Sequence, residues 1–154
     1  MKNKIAILLP YKEKYNINKA GAASIWVKDY LSFSKLKKYT TVYGNLLNKD
    51  KPLTKNYFNI DLTNKILKKN IEKTKKFYQE YLKIKFQIIE IHNRPIYVRH
   101  LVNKINSKIV LTFHNDPLSL RGSITKGQRI KILETFFPQD LHPSNSNRES
   151  KWFH

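Results

Sequence analysis

Two short apolar runs, each stopped by a His-Asn pair with a proline close behind, constrain the fold of this chain more than any other feature. Residues 88–95 read IIEIHNRP and residues 109–117 read IVLTFHNDP. Short runs of β-branched and aromatic residues that end in polar residues and proline are typical of buried strands. The intervening residues 95–106 have the spacing of a helix. We therefore predict a strand–helix–strand unit in which a His-Asn pair follows each strand.

The rest of the chain repeats this alternation of strands and helices. The predicted strands are residues 4–10, 40–44, 57–60, 86–91 and 109–113, and the predicted helices are residues 21–34, 63–83 and 95–106. Such alternation favours a parallel sheet with helices on both faces. We therefore predict an α/β fold, a Rossmann-like three-layer sandwich with a mostly parallel sheet, over residues 1–134. Residues 119–127 are predicted as a loop, residues 128–134 as a short helix and residues 135–154 as an irregular or unstructured tail.

Residues three and four positions apart predict which face of each longer helix is buried. In the first helix this face comprises Ala23, Trp26, Val27, Tyr30, Leu31 and Ser34. In the second it comprises Ile66, Leu67, Ile71, Thr74, Tyr78, Tyr81 and Leu82. The remaining surface of the second helix is rich in lysine, and we expect it to be solvated. The lysines concerned are Lys65, Lys68, Lys69, Lys73, Lys75 and Lys76.

The formal net charge of +19 has three interpretations, which the sequence leaves open. It can reflect a lysine-rich composition, attraction to an anionic membrane surface, or binding of nucleic acid. Only five of the 30 cations are arginine, the side chain that nucleic-acid sites favour, so nucleic acid is the least favoured partner. The absence of cysteine excludes disulfides and thiolate chemistry. The N-terminal apolar run is too short for a signal peptide or a membrane span, so we expect a cytoplasmic protein.

The two His-Asn pairs are the strongest candidates for a functional site. In open α/β sheets the ligand crevice lies beyond the carboxyl ends of the strands, and both pairs fall there. We expect the imidazoles of His92 and His114 to point into one crevice, where either can act as a base near neutral pH. Asn93, Asn115 and Asp116 add amide and carboxylate groups suited to sugar hydroxyls. The alternative is that both histidines only bond to the backbone at the strand ends.

Two further positions near this edge are candidates for ligand contacts. Gly21 precedes a helix whose first free N–H groups can hold an anion or a hydroxyl, although a glycine there also suits a tight turn. Arg94 can clamp a phosphate or carboxylate, or it can pair with Glu90 or with solvent. A zinc site at His92, His114 and Asp116 is not favoured, because the chain has no short-range ligand spacing. The Gly-x-Ser-x-Gly and Gly-x-Gly-x-x-Gly patterns are absent, which excludes the corresponding hydrolase and dinucleotide sites.

Taken together, four segments resemble the N-terminal domain of retaining glycosyltransferases with the GT-B fold. These segments are the run at residues 4–10, the Gly-Ala-Ala-Ser loop at residues 21–24, and the stretches at 88–95 and 110–117. The likeness is closest to family 4 (group 1) enzymes of bacterial lipopolysaccharide and capsule synthesis and covers about residues 1–134. It implies half of a GT-B fold, the domain that faces the sugar acceptor, and a reaction that needs no metal or other cofactor.

The resemblance assigns roles to individual positions. It implies that His92 and His114 are catalytic and that Gly21, Ala22, Asn93, Arg94, Asn115 and Asp116 bind the acceptor. Ala22 stands where the family often has a second glycine. The donor-binding domain of the family, which holds the nucleotide-sugar, has no counterpart in this chain, so we expect a truncated enzyme that is inactive alone. It would act on a glycan or lipid-linked acceptor at the inner face of the membrane with a second domain or partner chain. The alternatives are a basic, non-enzymatic module that binds nucleic acid or a membrane surface, and a non-functional fragment.

Overall fold

The computed structural model describes residues 4–47, 50–63 and 69–114, which form a parallel sheet with helices on both faces. The α/β, Rossmann-like fold predicted from the sequence is therefore confirmed. In chain order the elements are β1 (Ile5–Leu8), α1 (Ala22–Phe33), a 3-10 turn (Lys37–Tyr39), β2 (Thr40–Gly44), β3 (Tyr57–Asn59), α2 (Lys69–Ile84), β4 (Ile88–His92), α3 (Pro95–Leu101) and β5 (Lys108–Thr112).

The strand order places β1 at the centre of the sheet. The order is β3-β2-β1-β4-β5, and every neighbouring pair is parallel. Chain segments after β1 build one half of the sheet, and β4 then returns to the other side of β1. Strands β2 and β3 lie on one side of β1, and β4 and β5 lie on the other. The loops that follow β1 and β4 therefore run to opposite faces of the sheet and leave a crevice at the carboxyl edge.

The alternation of side chains along the strands divides the core into two layers. On one face of the sheet, Ile7, Leu9 and Val42 pack with α1. On the other face, α2 and α3 cover a larger cluster of buried residues. The members of that cluster are Ala6, Leu8, Tyr43, Ile60, Phe77, Tyr81, Phe86, Ile89, Ile91, Tyr97 and Leu101. Glu90 and His92 alternate with Ile89 and Ile91 along β4, so they lie on the α1 face of the sheet.

The predicted elements agree with the observed ones to within two residues at their described ends, except that α3 ends at Leu101, five residues before its predicted end. Pro95 occupies the first turn of α3, where its missing N–H leaves no hydrogen bond unmade. The second predicted helix is described from Lys69 onward, so its predicted first turn lies outside the described residues. The predicted loop at residues 119–127, helix at 128–134 and tail at 135–154 also lie outside them. Within the described ranges, no helix combines the length and apolar character needed to cross a membrane.

The predicted buried face of α1 is wrong at two positions. Ala23, Val27 and Leu31 are buried as expected, but Trp26 and Tyr30 are 42% and 40% exposed. The two rings stack on each other with their centroids 5.3 Å apart. They share the helical spacing of the core residues, yet they lie at the edge of the buried face.

Lys73 is the second clear departure from the sequence prediction, because it is fully buried rather than solvated. Its Nζ donates to Asn45 Oδ1 at 3.2 Å. Burial, with help from the charges of Lys14 and Arg94 and against that of Glu13, lowers the pKa of Lys73 to about 7. The predicted buried face of the same helix is also wrong at Ile71 and Leu82, whose side chains are 40% and 48% exposed.

Replacing Lys73 by methionine should stabilise the fold. The pKa of Lys73 is about 7 in the folded chain against 10.5 as its ordinary value. Between these two values only the unfolded chain binds the proton, so stability rises as pH rises from 7, by at most about 1.4 kcal/mol per pH unit. Lys73→Met should raise the free energy of unfolding at pH 7 by roughly 1–4 kcal/mol and flatten this dependence.

Urea unfolding between pH 6 and 9 provides the measurement. Lys75→Met is the matched control, because it removes the same charge from an exposed position of the same helix. A Lys73→Met protein that is less stable than the wild type, with an unchanged pH dependence, would contradict the burial of a strained ammonium group at this position.

Candidate functional site

The candidate site lies at the carboxyl edge of β4 and β5, on the face of the sheet that α1 covers. His92 is the last residue of β4 and pairs in register with Thr112, the last residue of β5. His114 follows two residues later. The sequence prediction that the two histidines end neighbouring parallel strands at the same edge is confirmed.

The two imidazoles contact each other directly. His92 Nδ1 and His114 Nε2 lie 2.6 Å apart, and the ring centroids are 4.9 Å apart. His92 is fully buried, whereas His114 is partly exposed. The expectation that both rings face the crevice is therefore wrong for His92, which lies beneath its partner. Any molecule that reaches this edge from solvent meets His114.

The carboxylate of Glu90 determines which nitrogen of each ring carries a proton. Glu90 Oε1 lies 3.2 Å from His92 Nε2. The geometry between His92 Nε2 and Glu90 is not that of an aligned hydrogen bond. An unprotonated Nε2 would nevertheless place its lone pair close to the carboxylate, which is unfavourable, so a proton on Nε2 is favoured. In the tautomer that directs an N–H from His92 Nε2 towards Glu90, His92 accepts on Nδ1. His114 then donates from Nε2, which leaves His114 Nδ1 as the unprotonated nitrogen of the pair.

The electrostatics around the pair favour a neutral His114 beside an ionised Glu90. Burial lowers the pKa of His114, and the adjacent His92 lowers it further, against the opposing charges of Glu13 and Glu90. Burial alone would raise the pKa of Glu90. The His92 ring, the Thr112 hydroxyl and the charge of His114 outweigh that effect and keep the pKa of Glu90 below its usual value. Thr112 Oγ1 donates to Glu90 Oε1 at 2.8 Å.

Trp26 forms an aromatic wall beside the imidazoles. Its ring centroid lies 5.6 Å from that of His92 and 5.4 Å from that of His114. Because Trp26 also stacks on the exposed Tyr30, the two rings extend as an apolar surface from the histidine pair towards solvent. Residues Trp26, Tyr30, Glu90, His92 and His114 are called the imidazole site below.

The neighbouring predicted residues Asn93 and Arg94 hold the loop rather than point freely into a crevice. Asn93 has a φ of 49°, a left-handed conformation that asparagine tolerates better than most residues. Its Oδ1 accepts the backbone N–H of His114 at 2.8 Å, which ties the two strand ends together. Arg94 donates from Nη1 to the Asn93 carbonyl at 2.7 Å. The pairing of Arg94 with Glu90 that the sequence left open is not found.

Glu13 fills the place that the sequence analysis reserved for a ligand near Gly21. Its Oε1 accepts the backbone N–H of Ser24 at 3.0 Å, in the first turn of α1. A Cβ added to Gly21 would lie only 2.6 Å from this oxygen. Gly21 is therefore explained by close packing of an internal carboxylate. Ala22 is exposed on the same turn, and its contact with an acceptor stays a prediction.

The sequence analysis missed three members of this region. Glu90 had a usable signal, since the period of two in a strand puts it on the same face as His92. Trp26 and Glu13 had none, because their contacts join segments far apart in the chain. The predicted site residues Asn115 and Asp116 lie outside the described residues. Within the described ranges, no group of three histidine, aspartate or glutamate side chains is placed to hold a metal ion.

Comparison with known proteins does not assign the chain to a class. No family model matches it, and neither a curated protein nor a solved structure does so. The candidate site therefore rests on the geometry described above.

Glu90→Gln should lower the pKa of His114 further, because it removes a negative charge that favours the imidazolium. The measurement is an NMR titration of the histidine ring protons between pH 4 and 8. Glu80→Gln is the control, since that carboxylate lies on α2 and pairs with Lys83. A His114 pKa that stays unchanged in Glu90→Gln would contradict the electrostatic coupling of the carboxylate to the two rings.

Proposed function

We propose that the chain is the acceptor-side domain of a sugar-transferring enzyme of the hexosyltransferase type. The observation that carries the proposal is the partly exposed His114 ring, 5.4 Å from the exposed Trp26 ring at the carboxyl edge of the sheet. A base next to an aromatic surface suits a sugar, which offers hydroxyl groups on its rim and C–H groups on its faces. The resemblance to GT-B glycosyltransferases of lipopolysaccharide or capsule synthesis agrees with this chemistry.

His114 supplies the base in this proposal. At neutral pH its ring is uncharged, because burial and the adjacent His92 lower its pKa. His114 Nδ1 accepts a hydrogen bond from an acceptor hydroxyl and takes its proton as the oxygen bonds to the anomeric carbon of the donor sugar. The bond from that carbon to the nucleotide phosphate breaks, and the nucleotide leaves with the electron pair. The imidazolium that forms is stabilised through His92 by the ionised Glu90. His92 and Glu90 thus position and polarise His114 without touching the acceptor.

Trp26 and Tyr30 orient the acceptor. Both rings have a large exposed fraction and stack at an interplanar angle of 10°, so together they present an extended apolar surface. A pyranose ring that lies against this surface keeps its hydroxyl groups at the rim, where His114 meets one of them. Aromatic side chains suit such contacts because they lose little conformational entropy on binding.

The donor and the cellular setting complete the proposal. The nucleotide-sugar requires a second domain or a partner chain, so the described domain is inactive alone. A glycan or lipid-linked acceptor places the enzyme at the cytoplasmic face of the membrane. There the net charge of +19 favours peripheral contact with anionic lipids. The resemblance implies that the reaction needs no metal or other cofactor.

Glycan binding by the full chain tests the proposal. On an array of bacterial oligosaccharides and lipid-linked glycans, we expect binding that Trp26→Ala and His114→Ala each weaken by about tenfold or more, the effect of losing roughly 1.4 kcal/mol. Phe33→Ala is the matched control, because Phe33 is a 90% exposed aromatic residue on the same helix, away from the histidines. Absence of any glycan ligand, or equal binding by all three variants, would refute the proposal.

A second candidate, a module that binds nucleic acid or an anionic surface without catalysis, rests on the net charge alone. It predicts affinity for RNA and DNA that falls steeply as salt rises from 50 to 200 mM, because bound counterions are released. Fluorescence anisotropy with labelled oligonucleotides measures this dependence. Weak binding that is flat with salt would exclude this candidate.

A further inference from the structure

A second cleft opens at the carboxyl edge on the other side of β1. It has a volume of about 1060 Å³ and is lined by residues that follow β1, β2 and β3 and by the start of α2. The lining includes three lysines and two aspartates, namely Lys12, Lys14, Lys69, Asp50 and Asp61. This cleft lies apart from the imidazole site, which follows β4 and β5.

A buried ammonium group lies behind the wall of this cleft. Lys73 is one helical turn beyond Lys69, so the two side chains lie on the same side of α2. Lys69 lines the cleft, whereas Lys73 is fully buried. Asn45 joins the two regions, since it lines the cleft and its Oδ1 accepts from Lys73 Nζ at 3.2 Å.

A second lysine reaches the same asparagine. Lys14 Nζ donates to the Asn45 carbonyl oxygen at 3.4 Å. Two amines therefore converge on one neutral residue, and Arg94 adds a third positive charge that acts on Lys73. Glu13 is the one carboxylate among the charges that act on Lys73, and its Oε1 already accepts the N–H of Ser24.

The ammonium group of Lys73 also has more hydrogen-bond donors than acceptors within reach. A protonated lysine has three donors. Among the described residues, Asn45 Oδ1 is the acceptor that Lys73 reaches, so two of the donors are unused. Burial of a cation without a counter-charge is unfavourable, and a bound anion offsets that penalty.

We propose that this cleft binds a phosphate-type oxyanion beside Asn45, held by Lys73 and Lys14 and by Lys69 from the start of α2. The anion takes the place of the single neutral acceptor that Lys73 now has. It also brings enough oxygen atoms to use the free donors of both amines. The size of the cleft leaves room for an organic group attached to the phosphate.

The pH dependence of binding is specific to this arrangement. The charged groups that face Lys73 are Lys14 and Glu13 from the loop after β1 and Arg94 from the start of α3. Because the pKa of Lys73 is about 7, the amine must take up a proton to bind an anion at higher pH. Affinity should fall by up to about tenfold for each pH unit above 7.

Sulfate is the first probe, since its charge does not change between pH 6 and 8.5. Titration calorimetry of the full chain at constant ionic strength should show binding at pH 6 that is at least about tenfold weaker at pH 8.5. Lys73→Met should lose about tenfold or more of the affinity at pH 6 together with the pH dependence. Lys14→Met should weaken binding while retaining the pH dependence.

Lys75→Met is the control, since it removes the same charge from an exposed position of α2 and should bind sulfate as the wild type does. Lys73→Met should remain folded because it relieves a buried charge. The proposal fails if the wild type binds no sulfate at pH 6, or if Lys73→Met binds it as tightly as Lys75→Met does.

Two further ligands distinguish the source of the anion. Tighter binding of glucose 1-phosphate than of inorganic phosphate at pH 6 assigns the cleft to a phosphorylated organic molecule. The reverse order assigns it to the free ion. Trp26→Ala should leave both affinities unchanged, because Trp26 lies at the imidazole site. Failure of anion binding and failure of glycan binding are therefore observed separately.

Discussion

The central position of β1, paired on one side with β2 and on the other with β4, determines where this chain can present chemistry. Hydrogen bonding on both edges fixes the direction of β1, so its carboxyl end must open between the two halves of the sheet. The loop that leaves β1 has to turn into α1 on one face, while the loop that leaves β4 turns into α3 on the opposite face. The ends of β1, β2 and β4 are themselves buried, and the residues just beyond the strands, such as Asn45 after β2 and His114 after β5, are partly exposed at this edge.

Glu13 connects the two candidate sites that this geometry creates. Its carboxylate holds the first turn of α1 through the N–H of Ser24. Its charge also raises the pKa of His114 on one side and that of Lys73 on the other. A Cβ at Gly21 would displace this carboxylate, which lies in the space of a side chain. A residue that the sequence marks only as part of a polar loop therefore sets the geometry of a helix and the charge balance of both sites.

The parts of the molecule that the sequence predicts are those that depend on local patterns. Apolar runs ended by proline locate the strands, and the repeated His-Asn pair places His92 and His114 at one edge, because parallel neighbours share their carboxyl ends. What the sequence does not predict depends on contacts between distant segments. Lys73 has the appearance of a solvated lysine in a lysine-rich helix, yet Asn45 and the surrounding loops enclose it. Trp26 has the spacing of a core residue, but it packs against the two imidazoles and stays 42% exposed.

Each of the two sites contains a basic group with a lowered pKa. His114 and Lys73 are both bases whose pKa is lowered by burial and by a neighbouring base or cation. A chain with a net charge of +19 thus holds two basic groups whose pKa values lie below their ordinary values, so that each can accept a proton near neutral pH. The two groups differ in their hydrogen-bond partners. His114 connects through His92 to an ionised carboxylate, which suits transient uptake of a proton during a reaction. The acceptor that Lys73 reaches among the described residues is a neutral amide, so the anion that we propose is the partner of its charged form.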